Sequence, residues 1–137
     1  MCGIVGYVGD KEAAPILVSG LCNLQYRGYD SAGVALCSAD GVRTLKCVGS
    51  PENLIPKLAS CADCSALCGV GHTRWATHGK PDVVNAHPHS CGRFHVVHNG
   101  IIENEKALKE EYFPNTEFLS QTDTEVIARL LQKFCEN

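Results

Sequence analysis

The sequence lacks any apolar run near the roughly 18 residues that a membrane span needs. Its N-terminus also lacks the basic stretch and long apolar core of a secretory signal. It has no basic block either, with 12 Lys and Arg against 15 Asp and Glu and a net charge of -3. We therefore expect a cytoplasmic protein that binds neither membranes nor nucleic acid.

Several cofactor and nucleophile motifs are missing or incomplete. No G-x-S-x-G nucleophile elbow occurs. Gly69 and Gly71 open a partial dinucleotide-binding motif, but Arg74 occupies the third glycine position. This argues against a bound nucleotide, and we expect no cofactor.

The nine cysteines are an odd and high number for 137 residues. In a reducing cytosol we expect free, buried or metal-bound thiols rather than a disulfide framework. Cys61, Cys64 and Cys68 form a C-x2-C-x3-C cluster, and Cys91 and six histidines follow it. This ligand spacing lacks the second short pair of a four-coordinate zinc site, so we expect no metal.

What is present is a single-domain composition with 45% hydrophobic residues and alternating strand and helix patterns. The spacing predicts a layered α+β fold. A capping box formed by Thr122 and Glu125 predicts the start of the last helix. The predicted strands are 4–8, 32–37, 42–48, 68–72 and 94–98, and the predicted helices are 13–25, a short one after Ser50, 104–112 and one after Thr122.

Cys2 is the first candidate nucleophile. Removal of Met1 would give this residue a thiol and a free α-amine, whose ordinary pKa of about 7.7 to 8.0 suits a general base near neutrality. Gly3 would let a substrate approach closely. The alternative is that Cys2 is only a small apolar residue near a terminus.

The polar segment 71–79 supplies candidate substrate ligands. The guanidinium of Arg74 can bind a carboxylate in a bidentate manner, and Thr77 and His78 offer further hydrogen bonds. The alternative for Arg74 is a surface side chain stacked on Trp75.

Asn99 and Gly100 follow the predicted strand 94–98. A side-chain amide and a neighbouring N–H can form an oxyanion hole, although Asn-Gly is also a common turn. Asp123 lies at the start of the last helix, where it could bind an ammonium group or only complement the helix dipole.

Together these motifs resemble the glutamine amidotransferases with an N-terminal cysteine nucleophile, which are N-terminal-nucleophile hydrolases, and among them the glucosamine-6-phosphate synthase branch. The similar segments are 1–6, 26–33, 72–79, 85–89, 96–104 and 122–128. The resemblance implies that Cys2 attacks the side-chain amide of glutamine and that Asn99 and Gly100 form the oxyanion hole. The resemblance further implies that Arg74 binds the α-carboxylate of glutamine and that Asp123 binds its α-amine. It also implies that Thr77 and His78 line the pocket and that Trp75 gates an ammonia channel.

The resemblance also implies an α/β/β/α four-layer sandwich of antiparallel sheets, here incomplete. On that basis residues 2–137 are a glutaminase domain truncated at its C-terminus, and the sugar-phosphate isomerase domain that would use the ammonia is absent. Uncovered apolar faces of the strands with Val5, Val34, Val70 and Val97, and of the last helix, predict a self-associating chain or homo-oligomer. The alternative is a catalytically silent or regulatory module.

Overall fold

The computed structural model describes residues 1–62, 64–76 and 79–135. Six strands and four α-helices follow in chain order: β1 Gly3–Val8, α1 Ala13–Leu24, β2 Ser31–Ser38, β3 Gly41–Val48, α2 Ile55–Ala59, β4 Cys68–Arg74, β5 His89–Cys91, β6 Phe94–Val96, α3 Glu105–Tyr112 and α4 Thr124–Cys135. Short 3-10 helices occupy Gln25–Arg27 and Pro51–Leu54. Among these described residues, no helix is long and apolar enough to cross a membrane.

Two antiparallel sheets form the middle of the molecule. The larger has the strand order β1-β4-β2-β3, and the smaller pairs β5 with β6. Helix α1 packs on β1 and β4, whereas α4 packs on β5 and β6. The layers therefore run helix, sheet, sheet, helix, as the α/β/β/α expectation requires, with a second sheet of only two strands among the described residues.

The principal core lies between α1 and the larger sheet. Leu17 and Leu21 of α1 are completely buried against Val34 and Leu36 of β2. Their spacing follows the helical repeat, which is why the apolar stripe predicted this helix. Glycines in β4 let the helix lie close, since a Cβ on Gly71 would come within 3.0 Å of Leu21.

The opposite face of the larger sheet is only partly covered. Ile4 is 42% and Val8 81% exposed. The small sheet reaches the larger one at β3, where His95 Nδ1 lies 3.4 Å from Thr44 Oγ1. The expectation of uncovered strands holds for Val70, which is half-buried. It is wrong for Val34, which the core buries completely.

The cysteine cluster differs from the expectation of free or metal-bound thiols. Cys61 and Cys64 form a disulfide, because the short C-x2-C spacing brings their Cα atoms to 5.6 Å. Cys68 and Cys91 have free thiols. No group of three or more His, Cys, Asp or Glu within the described ranges could hold a metal ion.

The start of α4 also differs from its prediction. Thr122 does not act in the expected capping box: its hydroxyl contacts His89 Nε2 at 2.8 Å and Ser120 Oγ at 3.0 Å. The carboxylate of Glu125 instead accepts hydrogen bonds from the N–H groups of Leu119 and Ser120. The segment before α4 is thus fixed by contacts with the small sheet, which a local sequence pattern cannot indicate.

Candidate active site

A cavity of about 470 Å³ opens where β4 ends, beside the N-terminus and the start of α4. Six of the predicted site residues line it: Cys2, Arg74, Trp75, Asn99, Gly100 and Asp123. Thr77 and His78, the other two, lie outside the described residues. Segments far apart in the sequence therefore meet at one concave site.

Cys2 is positioned by the pairing of β1 with β4. Gly3 lies opposite Thr73, so Cys2 comes to the end of β4. There the N–H of Trp75 donates to Cys2 Sγ at 3.2 Å. Gly3 serves packing rather than substrate approach, since a Cβ would come within 2.9 Å of Leu24 and Thr73.

Met1 lies at the mouth of the cavity. Its α-amine donates to the backbone carbonyl of Arg27, and the residue is 72% exposed. While Met1 is attached, the nitrogen of Cys2 is an amide without a basic lone pair. The thiol of Cys2 thus lies at the cavity while its own nitrogen is an amide.

Asn99 brings a hydrogen-bond donor to Cys2. Its Nδ2 donates to the backbone oxygen of Cys2 at 3.2 Å, while its Oδ1 accepts from His72 Nε2 at 2.9 Å. Gly100 follows it on the cavity wall, and a Cβ there would lie 2.7 Å from the His98 ring. The Asn-Gly pair thus lies on the wall of the cavity that Cys2 also lines, with the side-chain amide of Asn99 bonded to the backbone of Cys2.

Arg74 is 3% exposed and its guanidinium is firmly held. It donates to the backbone oxygens of Gly79 and Lys80 at 3.0 and 3.2 Å, and it lies 3.6 Å from Asp30 Oδ1. Asp30 in turn accepts from Ser31 Oγ at 2.8 Å and from the N–H of Ala76. These contacts fix the plane of the guanidinium in the cavity wall.

Trp75 contributes differently through its backbone and its ring. Its backbone contacts Cys2, whereas its indole lies over Gly28, on which a Cβ would come within 2.6 Å of the ring. Gly28 has a φ of 91°, a conformation that favours glycine for a second reason. The indole remains 53% exposed at the cavity rim.

Asp123 immediately precedes α4. Its Oδ2 accepts from the N–H of Ile102 at 2.6 Å, and Thr124 Oγ1 lies 3.4 Å from Oδ1. The carboxylate therefore lies on the cavity at a helix N-terminus, where the helix dipole interacts favourably with a negative charge. A negative group and the guanidinium of Arg74 thus lie on the same cavity.

Three buried histidines lie at the cavity, and one of them, His87, lines it. The ring of His87 stacks on His72 at 4.1 Å and meets His89 edge-on at 4.6 Å. Burial lowers the pKa of His72 and of His89 to about 4, and it lowers that of His87 as well. All three are neutral near pH 7. Sequence reasoning weighed these residues only as metal ligands and missed their place beneath Asn99; no local motif signals it.

Comparison with known proteins links the chain to one class. The sequence profile described as "Glutamine amidotransferase domain" matches residues 60–137. Glutamine--fructose-6-phosphate aminotransferase [isomerizing] of Listeria innocua is 54% identical over 138 residues, covering 99% of this chain and 23% of its own length. The Bacillus subtilis protein of that name is 49% identical over 136 residues, covering 98% and 22%. The chain thus spans about a quarter of these relatives.

Two solved structures have the same fold. One is the glutamine phosphoribosylpyrophosphate amidotransferase of B. subtilis complexed with ADP and GMP, with a TM-score of 0.78 and 26% identity over 97% of this chain and 29% of that one. The other is described as the allosteric regulatory enzyme of purine biosynthesis, with a TM-score of 0.81 and 26% identity over 97% of this chain and 30% of that one. The layered α+β architecture is therefore shared with them.

Proposed function

Because the chain belongs to the glutamine amidotransferase family, we propose that it hydrolyses the side-chain amide of glutamine to glutamate and ammonia with Cys2 as the nucleophile. One observation carries the proposal. The thiol of Cys2, the amide of Asn99, the guanidinium of Arg74 and the carboxylate of Asp123 share a cavity of about 470 Å³. That size suits a small-molecule ligand.

The proposed chemistry begins after Met1 is removed. The α-amine of Cys2 takes the proton of its own thiol, and the thiolate attacks the amide carbon of glutamine. The side chain of Asn99 and the N–H of Gly100 stabilise the resulting oxyanion. The protonated amine then gives its proton to the leaving nitrogen, the C–N bond breaks and ammonia departs. Water hydrolyses the γ-glutamyl thioester and restores the thiol.

Substrate recognition uses the charges of the cavity. Arg74 binds the α-carboxylate of glutamine and Asp123 binds its α-ammonium group, so the amide is directed towards Cys2. Thr77 and His78 complete the pocket in this proposal. The indole of Trp75 stands at the rim, where it would control the path of ammonia out of the cavity.

The consumer of the ammonia follows from the relatives. We propose that the ammonia is used by a sugar-phosphate isomerase domain to convert fructose 6-phosphate into glucosamine 6-phosphate. That domain would belong to the same polypeptide or to a separate chain. This step rests on relatives of which the present chain spans about a quarter. A cytosolic location suits the chemistry, because the nucleophile must remain a reduced thiol. Self-association through the exposed face around Ile4 and Val8 belongs to the same proposal.

A test combines the N-terminal mass with active-site labelling. The purified chain should lack Met1, release ammonia from glutamine, and take up one equivalent of a diazoketone analogue of glutamine at Cys2 alone. Arg74→Ala should abolish labelling by removing the carboxylate ligand, whereas Cys135→Ser, which changes an exposed free thiol, should not. Label spread over several cysteines, or activity with Met1 retained, would reject the mechanism. Labelling without ammonia release would favour a silent binding module.

A further inference from the structure

We propose that His72 is a positioning residue that orients the side-chain amide of Asn99, so that its NH2 group rather than its oxygen faces the reacting thiol. The relevance of this orientation to catalysis rests on the proposed function. The hydrogen bond itself does not, and it can be tested without activity.

The geometry assigns the proton of His72 to Nε2. This nitrogen lies 2.9 Å from Asn99 Oδ1 and 3.1 Å from the backbone oxygen of His98, and the latter atom can only accept. The opposite nitrogen, Nδ1, is buried and has no hydrogen-bond partner in the described part of the chain. Since burial also keeps the ring neutral, His72 carries one N–H, and that N–H points at Asn99 and His98.

This donor fixes which end of the Asn99 amide meets Cys2. With Oδ1 accepting from His72, Nδ2 donates to the backbone oxygen of Cys2 at 3.2 Å. A flipped amide would bring two donors together at His72 and two oxygens together at Cys2. Each mispaired group would lose a hydrogen bond, at a cost of about 1 to 3 kcal/mol where the group is buried. An oxygen facing Cys2 would also repel the oxyanion that forms there.

The ring of His72 is itself held by the packing of the two sheets. It is fully buried, and the ring of His87 stacks on it at 4.1 Å. His87 Nε2 lies 3.0 Å from Thr124 Oγ1 at the start of α4. The backbone of His87 approaches β2 at Gly33, where a Cβ would lie 2.0 Å from the His87 oxygen. The imidazole thus has contacts on its face as well as at Nε2.

The first experiment measures the hydrogen bond directly. In nitrogen-15 NMR spectra of the full chain, His72 should show a protonated Nε2 and an unprotonated Nδ1 at neutral pH, and the NH2 signals of Asn99 should shift in His72→Leu. A proton on Nδ1, or unchanged Asn99 signals, would overturn the inference whether or not the chain is active.

The second experiment separates positioning from a merely structural role. His72→Leu should lower kcat for glutamine hydrolysis about 10- to 100-fold, near the low end of losing an oxyanion donor, with KM changed less than about 2-fold because ground-state binding is retained. His72→Gln can restore a side-chain N–H near Nε2 and should recover most of the loss. His95→Leu, a matched change of a half-buried histidine whose ring bonds to Ser90 instead, should leave kcat unchanged.

A double-mutant cycle closes the test. In an Asn99→Ala background, His72→Leu should cause less than about a 2-fold further loss, since the amide it orients is gone. Equal losses in His72→Leu and His72→Gln, or additive losses with Asn99→Ala, would overturn the inference. A wild-type chain that does not hydrolyse glutamine would reject the proposed function, and the NMR measurement alone would then decide the role of His72.

Discussion

Gly33→Ala is expected to destabilise the protein far more than its single added methyl group suggests. A Cβ at Gly33 would lie 2.0 Å from the backbone oxygen of His87, whereas real Cβ atoms keep at least about 3.0 Å from such atoms. The segment before β5 would have to move away from β2 by about 1 Å. A backbone carbonyl cannot swing aside as a side chain can, so we expect a loss of about 3 kcal/mol in the free energy of unfolding, the upper end of the usual overpacking cost.

The assay is urea unfolding of both the wild type and the variant, followed by circular dichroism at neutral pH. Gly6→Ala is the matched control, because Gly6 is also a strand glycine of the larger sheet but has open space where the Cβ would lie. That change should leave the stability unaltered or raise it by up to about 1 kcal/mol, because alanine lowers the conformational entropy of the unfolded chain. Equal stability of the two variants within about 0.5 kcal/mol would refute the close approach of the His87 backbone to β2.

Three further outcomes are expected. The free energy of unfolding should fall as the pH drops from about 6.5 towards 4, because the unfolded state binds protons that the folded state excludes. The loss should reach about 1.4 kcal/mol per pH unit for each of His72 and His89. Constant stability in urea unfolding at pH 7.5, 6 and 5 would contradict this. Asn99→Ala should lower kcat for glutamine about 100- to 1000-fold, with a loss of stability of only about 1 kcal/mol because the His98 oxygen still accepts from His72 Nε2. A loss confined to KM would assign Asn99 to binding instead. Dialysis against a chelator should leave the melting temperature unchanged, since Cys61 and Cys64 are joined to each other. Stoichiometric zinc in the purified protein, with unfolding when a chelator removes it, would contradict this.

Elements with one strong periodic face could be predicted from the sequence. The apolar stripe of α1 predicted a helix whose bounds agree to within a residue, and the strands predicted over 32–37 and 42–48 correspond to β2 and β3, which a tight hairpin joins at Gly41. Gly41 has a φ of 118° there, the backbone conformation for which glycine is suited. Such signals are local, so no knowledge of the tertiary partner is required.

The small sheet was predicted poorly for an equally physical reason. β5 consists of His89, Ser90 and Cys91, which carry no strand pattern, and no strand is predicted there from the sequence. β6 ends at Val96 rather than at His98, because its partner β5 is only three residues long. The length of a strand depends on the strand it pairs with, and neither segment's own sequence indicates that pairing.

The candidate site shows the same division. Chemistry-bearing residues could be picked out by type, and the resemblance suggested their roles, but the contacts among them are tertiary. Cys2 meets Trp75 only because β1 and β4 pair in one register, and Asp30 supports Arg74 across more than forty residues of sequence. Residue types therefore identified candidate groups, whereas the register of the strands determines which of them lie side by side.

The buried histidines connect the stability of the fold to the proposed chemistry. Burying an imidazole is favourable only while it is neutral and its polar atoms are satisfied, and His72 meets that requirement at Nε2 through Asn99 and His98. Its stacking partner His87 reaches the start of α4 through Thr124, next to Asp123. Asn99 and Asp123, which both line the cavity, are thus linked through His72, His87 and Thr124. A change at Gly33 that displaces His87 is consequently expected to disturb the contacts of both His72 and Thr124, even though Gly33 does not line the cavity.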